Sequence, residues 1–469
     1  MSPIAENLLK IALGHLYHHP TDCQLEALRA GAALVADSDP RSVLVINGYA
    51  GTGKTSVVAS LIRAADEMRR RVVILAPTGR AANVAARFSN HPASTIHRRL
   101  FRPAPGDPDG SRFILAPNQL RDALFVVDEA SLIPDSGDSD ILALLIRYVY
   151  SAPGCRMILV GDDAQLPPVG QTSSSALSPE RLAQFGLNPS VVRLDEVVRQ
   201  QAESGIVMNA TLTRSRLGLL EQDAPPFCLD LRGFSDVSVV STAELAELLT
   251  SSYSEVGVDE TIVITRSNKR ANNFNNAIRN TVLYAEGPLE RGDRLIVAKN
   301  DYFWPKENKL KTRLVANGDA VGVEWVGECV KMYGRFFTEA ELRLSDGSLM
   351  TAQIMLRSLA CDGPSIPRHE LLRFHSVVMD AYEGAYTEKL ASAMSDAYYN
   401  ALQVKYGYCV TCHKAQGGQW RHVYIDMGGI DPESVDSDFY RWLYTALTRA
   451  TGHVFLINPT VPILGVEYD

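Results

Sequence analysis

What this chain lacks narrows its class before any motif is read. No apolar stretch reaches the ~18 residues that cross a bilayer, so no membrane-spanning helix is expected. The opening MSPIAENLLKIALGH has neither the basic start nor the small-residue cleavage site of a secretory signal. Cysteine is sparse and odd in number, seven residues scattered along the chain. Cys409 and Cys412 sit close together, but no second such pair completes a zinc site. Reduced thiols and a cytoplasmic setting are the expectation. Basic surplus is also missing: 46 Lys and Arg stand against 54 Asp and Glu, a net charge of -8. That argues against a protein that coats nucleic acid through its whole surface. It leaves room for one that grips a strand in a local groove, because charge acts over a Debye length of about 8 Å.

What is present is enough for more than one core. The chain has 469 residues, 46 % hydrophobic and 21 % charged, an ordinary globular balance. Its first half alternates apolar runs with helical segments: SVLVING (42–48), RVVILAP (71–77), ALFVVDEA (123–130) and RMILVGD (156–162). Continuous Val/Ile/Leu runs of this kind are strands buried on both faces of a parallel sheet. The pattern returns in TIVITRSN (261–268), HVYIDMGG (422–429) and GHVFLIN (452–458). The predicted fold is therefore α/β with two parallel sheets. Residues 1–185 form the first domain, and 186–290 with 404–469 form the second. Between the parts of the second, residues 291–403 alternate polar and apolar around Asn-Gly and Asp-Gly turns and then become helical. They predict a small antiparallel barrel and a helical pair. Residues 100–116 put two short apolar arms around a Pro/Gly/Asp tip, which predicts a hairpin projecting from the first domain.

Chemistry concentrates in three ordered motifs. Gly48-Tyr49-Ala50-Gly51-Thr52-Gly53-Lys54-Thr55 follows a strand and opens a helix. Glycines let backbone N–H groups converge on phosphate, and the helix N-terminus adds its dipole. Lys54 then reaches the outer phosphates and the Thr55 hydroxyl ligates magnesium. Asp128-Glu129 ends another strand, placing Asp128 on the metal and Glu129 beside the attacking water. In Gly161-Asp162-Asp163-Ala164-Gln165-Leu166-Pro167-Pro168, Gln165 is placed to sense the terminal phosphate. These are the residues of an NTP hydrolase, and ATP with Mg2+ is the expected cofactor pair.

With these stand APTGRAA (76–82), STIHRRL (94–100), LDEVVRQ (194–200), TCHKAQG (411–417) and YTALTRA (444–450). The whole set resembles the ordered motifs of superfamily 1 helicases, and specifically the superfamily 1B group that includes RecD and the phage Dda helicase. The resemblance implies two RecA-like domains and an ATP-driven motor moving 5′→3′ on single-stranded DNA. It implies forked duplex DNA as a partner, a monomeric motor and no membrane. It casts the hairpin at 100–116 as a strand-separating pin and the segment around Gly318 as part of the inserted barrel. By motif it implies that Gln24 reads the adenine edge and that Gly48, Ala50 through Ser56 and Gly417 line the nucleotide. Arg199 and Arg449 become the arginines that reach the terminal phosphate from the second domain. Pro77, Thr78, Ser94, Thr95 and His97 become strand contacts of the first domain, with Thr411, His413, Lys414 and Gln416 their counterparts in the second.

Aromatic side chains can stack on bases, each stacked base contributing ~1–3 kcal/mol. Phe101, Phe113, Tyr302 and Phe303 read first as core. Phe101 adjoins a strand motif, and Trp304, in the polar context DYFWPKEN, reads as exposed; both are base-stacking candidates. Three classes share these motifs: a translocating helicase, a P-loop enzyme indifferent to nucleic acid, and an idle adaptor. An adaptor would lack Lys54 or Glu129, and a small-molecule enzyme would not need a second arginine set. DNA rather than RNA rests on the resemblance, because backbone-dominated binding is blind to sequence.

Overall fold

The computed structural model describes residues 1–469 except 17, 104–112, 136–139, 199–203, 218–226, 313, 431–434, 460 and 466–469. The first sheet is built from β1 (Ser42–Gly48), β2 (Val72–Ala76) and β3 (Ala93–Thr95), then β6 (Leu124–Val127), β7 (Arg156–Gly161) and β8 (Asn188–Leu194). They run in the order β3-β2-β6-β7-β1-β8. Every pairing is parallel. Period-two alternation decides which layer each side chain enters. On β1, Leu44 and Ile46 pack with the helices Asp22–Ala36 and Lys54–Glu67, while Val43 and Val45 pack with Ile141–Tyr150 on the other face. Both faces are covered, as a parallel sheet requires.

β8 corrects the expected division at residue 185. It pairs with β1 over Asn188–Leu194, so the first sheet continues past that boundary. As an edge strand with most of its residues at least partly exposed, it lacks the apolar run by which its neighbours were recognised. Between the strands lies the short antiparallel pair β4 (Phe101–Pro103) and β5 (Phe113–Leu115), the two arms of the expected hairpin. Its tip at 104–112 lies outside the described residues.

The second sheet takes β10 (Val237–Val240), β11 (Thr261–Thr265), β17 (Cys409–Thr411), β18 (Trp420–Asp426) and β19 (Ala450–Ile457), in the parallel order β10-β19-β18-β11-β17. A two-stranded ribbon of β9 (Leu229–Asp230) and β20 (Ile463–Leu464) flanks it. The intervening segment forms a five-stranded antiparallel sheet. Its strands are β12 (Arg294–Val297), β13 (Ala320–Met332), β14 (Arg335–Arg343), β15 (Leu349–Met355) and β16 (Val404–Tyr406), ordered β15-β14-β13-β12-β16. An isolated bridge between Ile354 and Leu402 brings β15 back beside the approach to β16. Asp346-Gly347 turns β14 into β15 as expected, but the β13–β14 hairpin turns on Tyr333-Gly334, both at positive φ. Two helices, Arg368–Asp380 and Tyr386–Ser395, follow β15. The hydrophobic core here is continuous with the second sheet: Val263 and Tyr424 of that sheet share one cluster with Leu295, Val321 and Ala340.

Candidate nucleotide site and strand-facing surface

The phosphate loop joins β1 to the helix Lys54–Glu67. Gly51 and Gly53 both have positive φ, at 77° and 80°. At Gly53 a Cβ would also strike the Gln24 amide, so glycine is required there twice over. Lys54 Nζ donates to the carbonyls of Gly48 (2.5 Å) and Tyr49 (2.9 Å) and lies 3.8 Å from Asp162. Burial holds the Asp162 carboxyl above its ordinary value, opposed by Lys54 and a hydrogen bond from Tyr444. Asp128 is raised by burial and then by Glu129, against the pull of Lys54 and the backbone N–H of Glu129. Thr55 and Asp128 line the same small crevice. A hydroxyl beside a carboxylate is a donor set that fits a divalent cation, whose charge would favour the ionised form of Asp128 that burial opposes. Bound there, Mg2+ would be held by Thr55 and Asp128 and would offset phosphate charge.

Gln24 departs from its expected role. Its amide is fully buried, its oxygen accepts the N–H of Thr21 (3.2 Å), and its nitrogen donates to the Thr52 carbonyl (2.9 Å). The side chain therefore braces the phosphate loop. Thr52 is buried, with its hydroxyl on the Tyr49 carbonyl, whereas Ser56 is exposed at the helix start. Gln165 is buried, and its amide oxygen has no hydrogen-bond partner among the described residues.

The second sheet closes over this loop. Tyr49 and Ala50 pack against the second sheet's core. From the helix Ser437–Leu447, Tyr444 donates to Asp162 (2.6 Å) and accepts the Ala50 N–H (2.8 Å). Thr445 Oγ1 accepts the Leu166 N–H (2.9 Å), and Arg441 donates to the carbonyls of Asp163 and Gln165. Gln416 Nε2 donates to the Leu166 carbonyl (2.7 Å). Arg449 is buried, bonded to the Thr445 and Gly418 carbonyls, and 3.8 Å from Glu129 across the cleft. Arg199 lies outside the described residues; Val198, just before it, donates to the Gly51 carbonyl at 3.0 Å. Sequence reading missed Tyr444, Thr445 and Arg441, although two of them stand inside a motif it had already marked.

A second surface faces away from the loop. Thr78 caps the helix Gly79–Ser89 by accepting the Ala81 N–H, and Thr95 caps Ile96–Leu100 through Arg98 N–H. Ser94, Thr95 and Arg98 line an open cleft of about 120 Å³ whose other wall is Thr312, Val315, Asp319 and Asp346 of the insertion. Gly318, at φ 92°, precedes Asp319 in the turn. Asp319 reaches the start of the helix Gly79–Ser89 so closely that a Cβ on Gly79 would collide with it. Gly417 joins this surface too. A Cβ on it would meet Ala81 and Thr78 at the start of the helix Gly79–Ser89. Pro77 is half-buried beside Thr78, Thr411 is buried before the short helix Cys412–Ala415, His413 is exposed and Lys414 half-buried. Arg80 spans the two bodies, its guanidinium 4.5 Å from the Trp420 ring centroid.

Two aromatic expectations are corrected or weakened. Trp304 is 8 % exposed, packs in the insertion's core and donates Nε1–H to the Asn400 carbonyl (2.8 Å). Its polar neighbours lie on the outer side of the helix Phe303–Glu307, so flanking charge misreported the ring. Phe303 packs on the same cluster. Phe101 is half-buried against the first core and 5.6 Å from the half-buried His97 ring, whose pKa burial lowers. Tyr302 is half-buried, and the side chain of Phe113 lies outside what is described.

A phosphate loop on one parallel sheet, closed by side chains of a second, defines a P-loop protein with two α/β bodies. A family model described as an AAA domain matches residues 23–219, and one described as a UvrD-like helicase C-terminal domain matches 406–457. In these matches and in its motifs the chain is similar to the RecD-like branch of superfamily 1B helicases. It is 29 % identical over 304 residues to the ATP-dependent RecD2 DNA helicase of Deinococcus radiodurans, covering 62 % of this chain and 39 % of that protein. It is 34 % identical over 154 residues to the RecBCD subunit RecD of Mycobacterium tuberculosis, covering 28 % of this chain and 25 % of that one. The chain thus spans less than half the length of these two relatives. A Bacteroides Pif1 helicase solved with ADP-AlF3 and single-stranded DNA aligns at TM-score 0.49 and 16 % identity, over 95 % of this chain and 93 % of that one.

Proposed function

We propose that this chain is an ATP-dependent DNA helicase that moves 5′→3′ on single-stranded DNA and opens duplex by coupling hydrolysis to closure of two RecA-like bodies. The observation that carries the reading is the contact across the cleft. Tyr444 binds Ala50 and Asp162 while Arg449 stands 3.8 Å from Glu129, so the second body touches the groups that would surround the outer phosphate.

In this mechanism Lys54 and the loop amides bind the phosphates, with Mg2+ supplying countercharge when bound at Thr55 and Asp128. Glu129 orients and polarises the attacking water, and Gln165 carries the state of the site into its loop. Arg449, with Arg199, stabilises charge developing on the transferred phosphoryl group. Opening and closing of the cleft changes how tightly each body holds the strand, and a step follows from that difference in affinity. The strand lies in the cleft lined by Ser94, Thr95 and Arg98, with Thr78, Thr411, His413 and Lys414 bordering its path. The hairpin of β4 and β5 is the wedge. A domain division at the end of β8, a monomeric motor and a cytoplasmic setting complete the reading; no helix among the described residues is long and apolar enough to cross a membrane.

The test is ATP turnover with and without single-stranded DNA, beside unwinding of duplexes carrying a 5′ or a 3′ tail. Strong stimulation and unwinding from the 5′ tail are expected. DNA-independent turnover would return the chain to the small-molecule P-loop class, and a 3′ preference would reverse the polarity.

A further inference from the structure

The helix Gly205–Arg214 packs against Ser437–Leu447 and β9, and so belongs to the second body. Its last residue nevertheless leaves that body. The guanidinium carbon of Arg214 stands 3.7 Å from the centroid of the Tyr49 ring, and Tyr49 is the second residue of the phosphate loop. Such stacking holds a delocalised cation against an aromatic face without using its N–H donors. The donors are therefore left to find acceptors of their own.

One does not find any. Nη1 of Arg214 is buried and has no hydrogen-bond partner among the described residues. A buried donor on a permanently charged group is costly unless something supplies an acceptor. Among the described residues the nearby carboxylates face other partners: Asp162 accepts from Tyr444 and faces Lys54, and Asp163 faces Arg193 at 3.7 Å. The fitting acceptor lies outside the described residues, and the neighbouring loop is built for anionic oxygen. Phosphates nearer the nucleoside are held by the loop and helix start of the first body. The outermost phosphate is the one a side chain from the opposing body can reach.

We propose that Arg214 is a third arginine of the second body, beside Arg199 and Arg449, and that its Nη1–H binds the terminal phosphate of a nucleoside triphosphate, with Tyr49 as the platform that positions it. This rests on the nucleotide-site reading above. The contact distinguishes a triphosphate from a diphosphate, because only the former carries the oxygen that Arg214 reaches.

The test is equilibrium binding to the full chain, with Mg2+, of a fluorescent non-hydrolysable ATP analogue and of the matching diphosphate. Arg214→Met, which keeps the apolar stem, should weaken the triphosphate analogue roughly tenfold and the diphosphate less than about twofold, the size of one charge-assisted hydrogen bond. Arg214→Lys should recover part of the triphosphate affinity. Equal weakening of both nucleotides would mean that Arg214 merely holds the loop in shape, and no weakening of either would mean that it binds no phosphate; both overturn the proposal. If the unaltered protein binds neither nucleotide, it is the nucleotide-site reading that fails, and the two failures are thereby separated.

Discussion

Tyr444 donates to Asp162 at 2.6 Å and accepts the amide of Ala50 at 2.8 Å, so one hydroxyl of the second body holds two separate loops of the first. Tyr444→Phe keeps the ring's packing and leaves buried Asp162 with one donor fewer. Loss of a partner from a buried polar group costs ~1–3 kcal/mol. DNA-stimulated turnover should fall roughly tenfold and the unfolding midpoint should drop, read by steady-state kinetics and calorimetry. An unchanged midpoint and rate would show that the bridge carries no free energy.

Phosphate clamping and water activation should separate by mutation. Lys54→Ala removes the cation that lies 3.8 Å from Asp162 and should abolish hydrolysis. Glu129→Gln should leave ATP binding nearly intact while turnover stalls. Nucleotide-binding titrations beside turnover assays decide it: wild-type turnover by the Gln variant removes Glu129 from the water-polarising role.

Among the described residues Arg449 faces the first body at Glu129, 3.8 Å away, and otherwise donates to the Thr445 and Gly418 carbonyls. Its effect should therefore emerge as charge develops on the phosphate. Arg449→Ala should lower kcat by ~10³ with little change in KM. A change confined to KM would assign it to ground-state binding instead.

Acid should loosen the second sheet. His422 is buried with Nδ1 2.9 Å from Ser252 Oγ, and burial holds its pKa below the ordinary 6.5, with Glu255 opposing and Arg421 adding to that shift. His453, beside it, is lowered by burial and by His422. The unfolded chain thus binds protons that the folded chain refuses. Stability is intact above 6.5 and declines as pH falls from there toward the lowered folded value. Melting curves between about pH 7.5 and 5 should show this fall, and His422→Asn should reduce its slope.

The hairpin of β4 and β5 is held at its base by pairing of Phe101 with Leu115 and Pro103 with Phe113. Replacing residues 103–112 with a short Gly-Ser turn should leave DNA-stimulated ATPase and single-strand translocation unchanged within about twofold, while unwinding falls sharply, since loops tolerate such replacement unless they perform a task. Full unwinding by the shortened protein would make this segment a mere surface loop.

The parts of this molecule legible in sequence are those whose chemistry is local. Lys54, Asp128 and the buried strands carry their signal within a few residues, because a loop needs its glycines and a doubly covered strand needs its apolar run. Trp304 was misread for the complementary reason: its burial is decided by the insertion's core and by Asn400, neither visible in DYFWPKEN. Gln24 sits in its motif, yet Thr21 and Thr52 occupy its amide. Tyr444 and Arg214 meet the phosphate loop from far along the chain, and only the packed fold brings them there. β8 escaped notice because an edge strand need not be apolar.

The insertion leaves and re-enters the second body through β12 and β16, which pair side by side, Leu295 with Tyr406. At that stem Asp293 accepts two bonds from buried Arg279 and one from Tyr408, and the two structures share one core. A two-strand neck clamped in this way couples the insertion to the second sheet as one packed unit. Asp319, at the far end, is in effect the tip of a lever whose fulcrum is Arg279–Asp293 and whose load is the start of the helix at Gly79. On this geometry a rotation of the second sheet would reach the cleft lined by Ser94 and Arg98 as a displacement of one carboxylate against the helix start at Gly79.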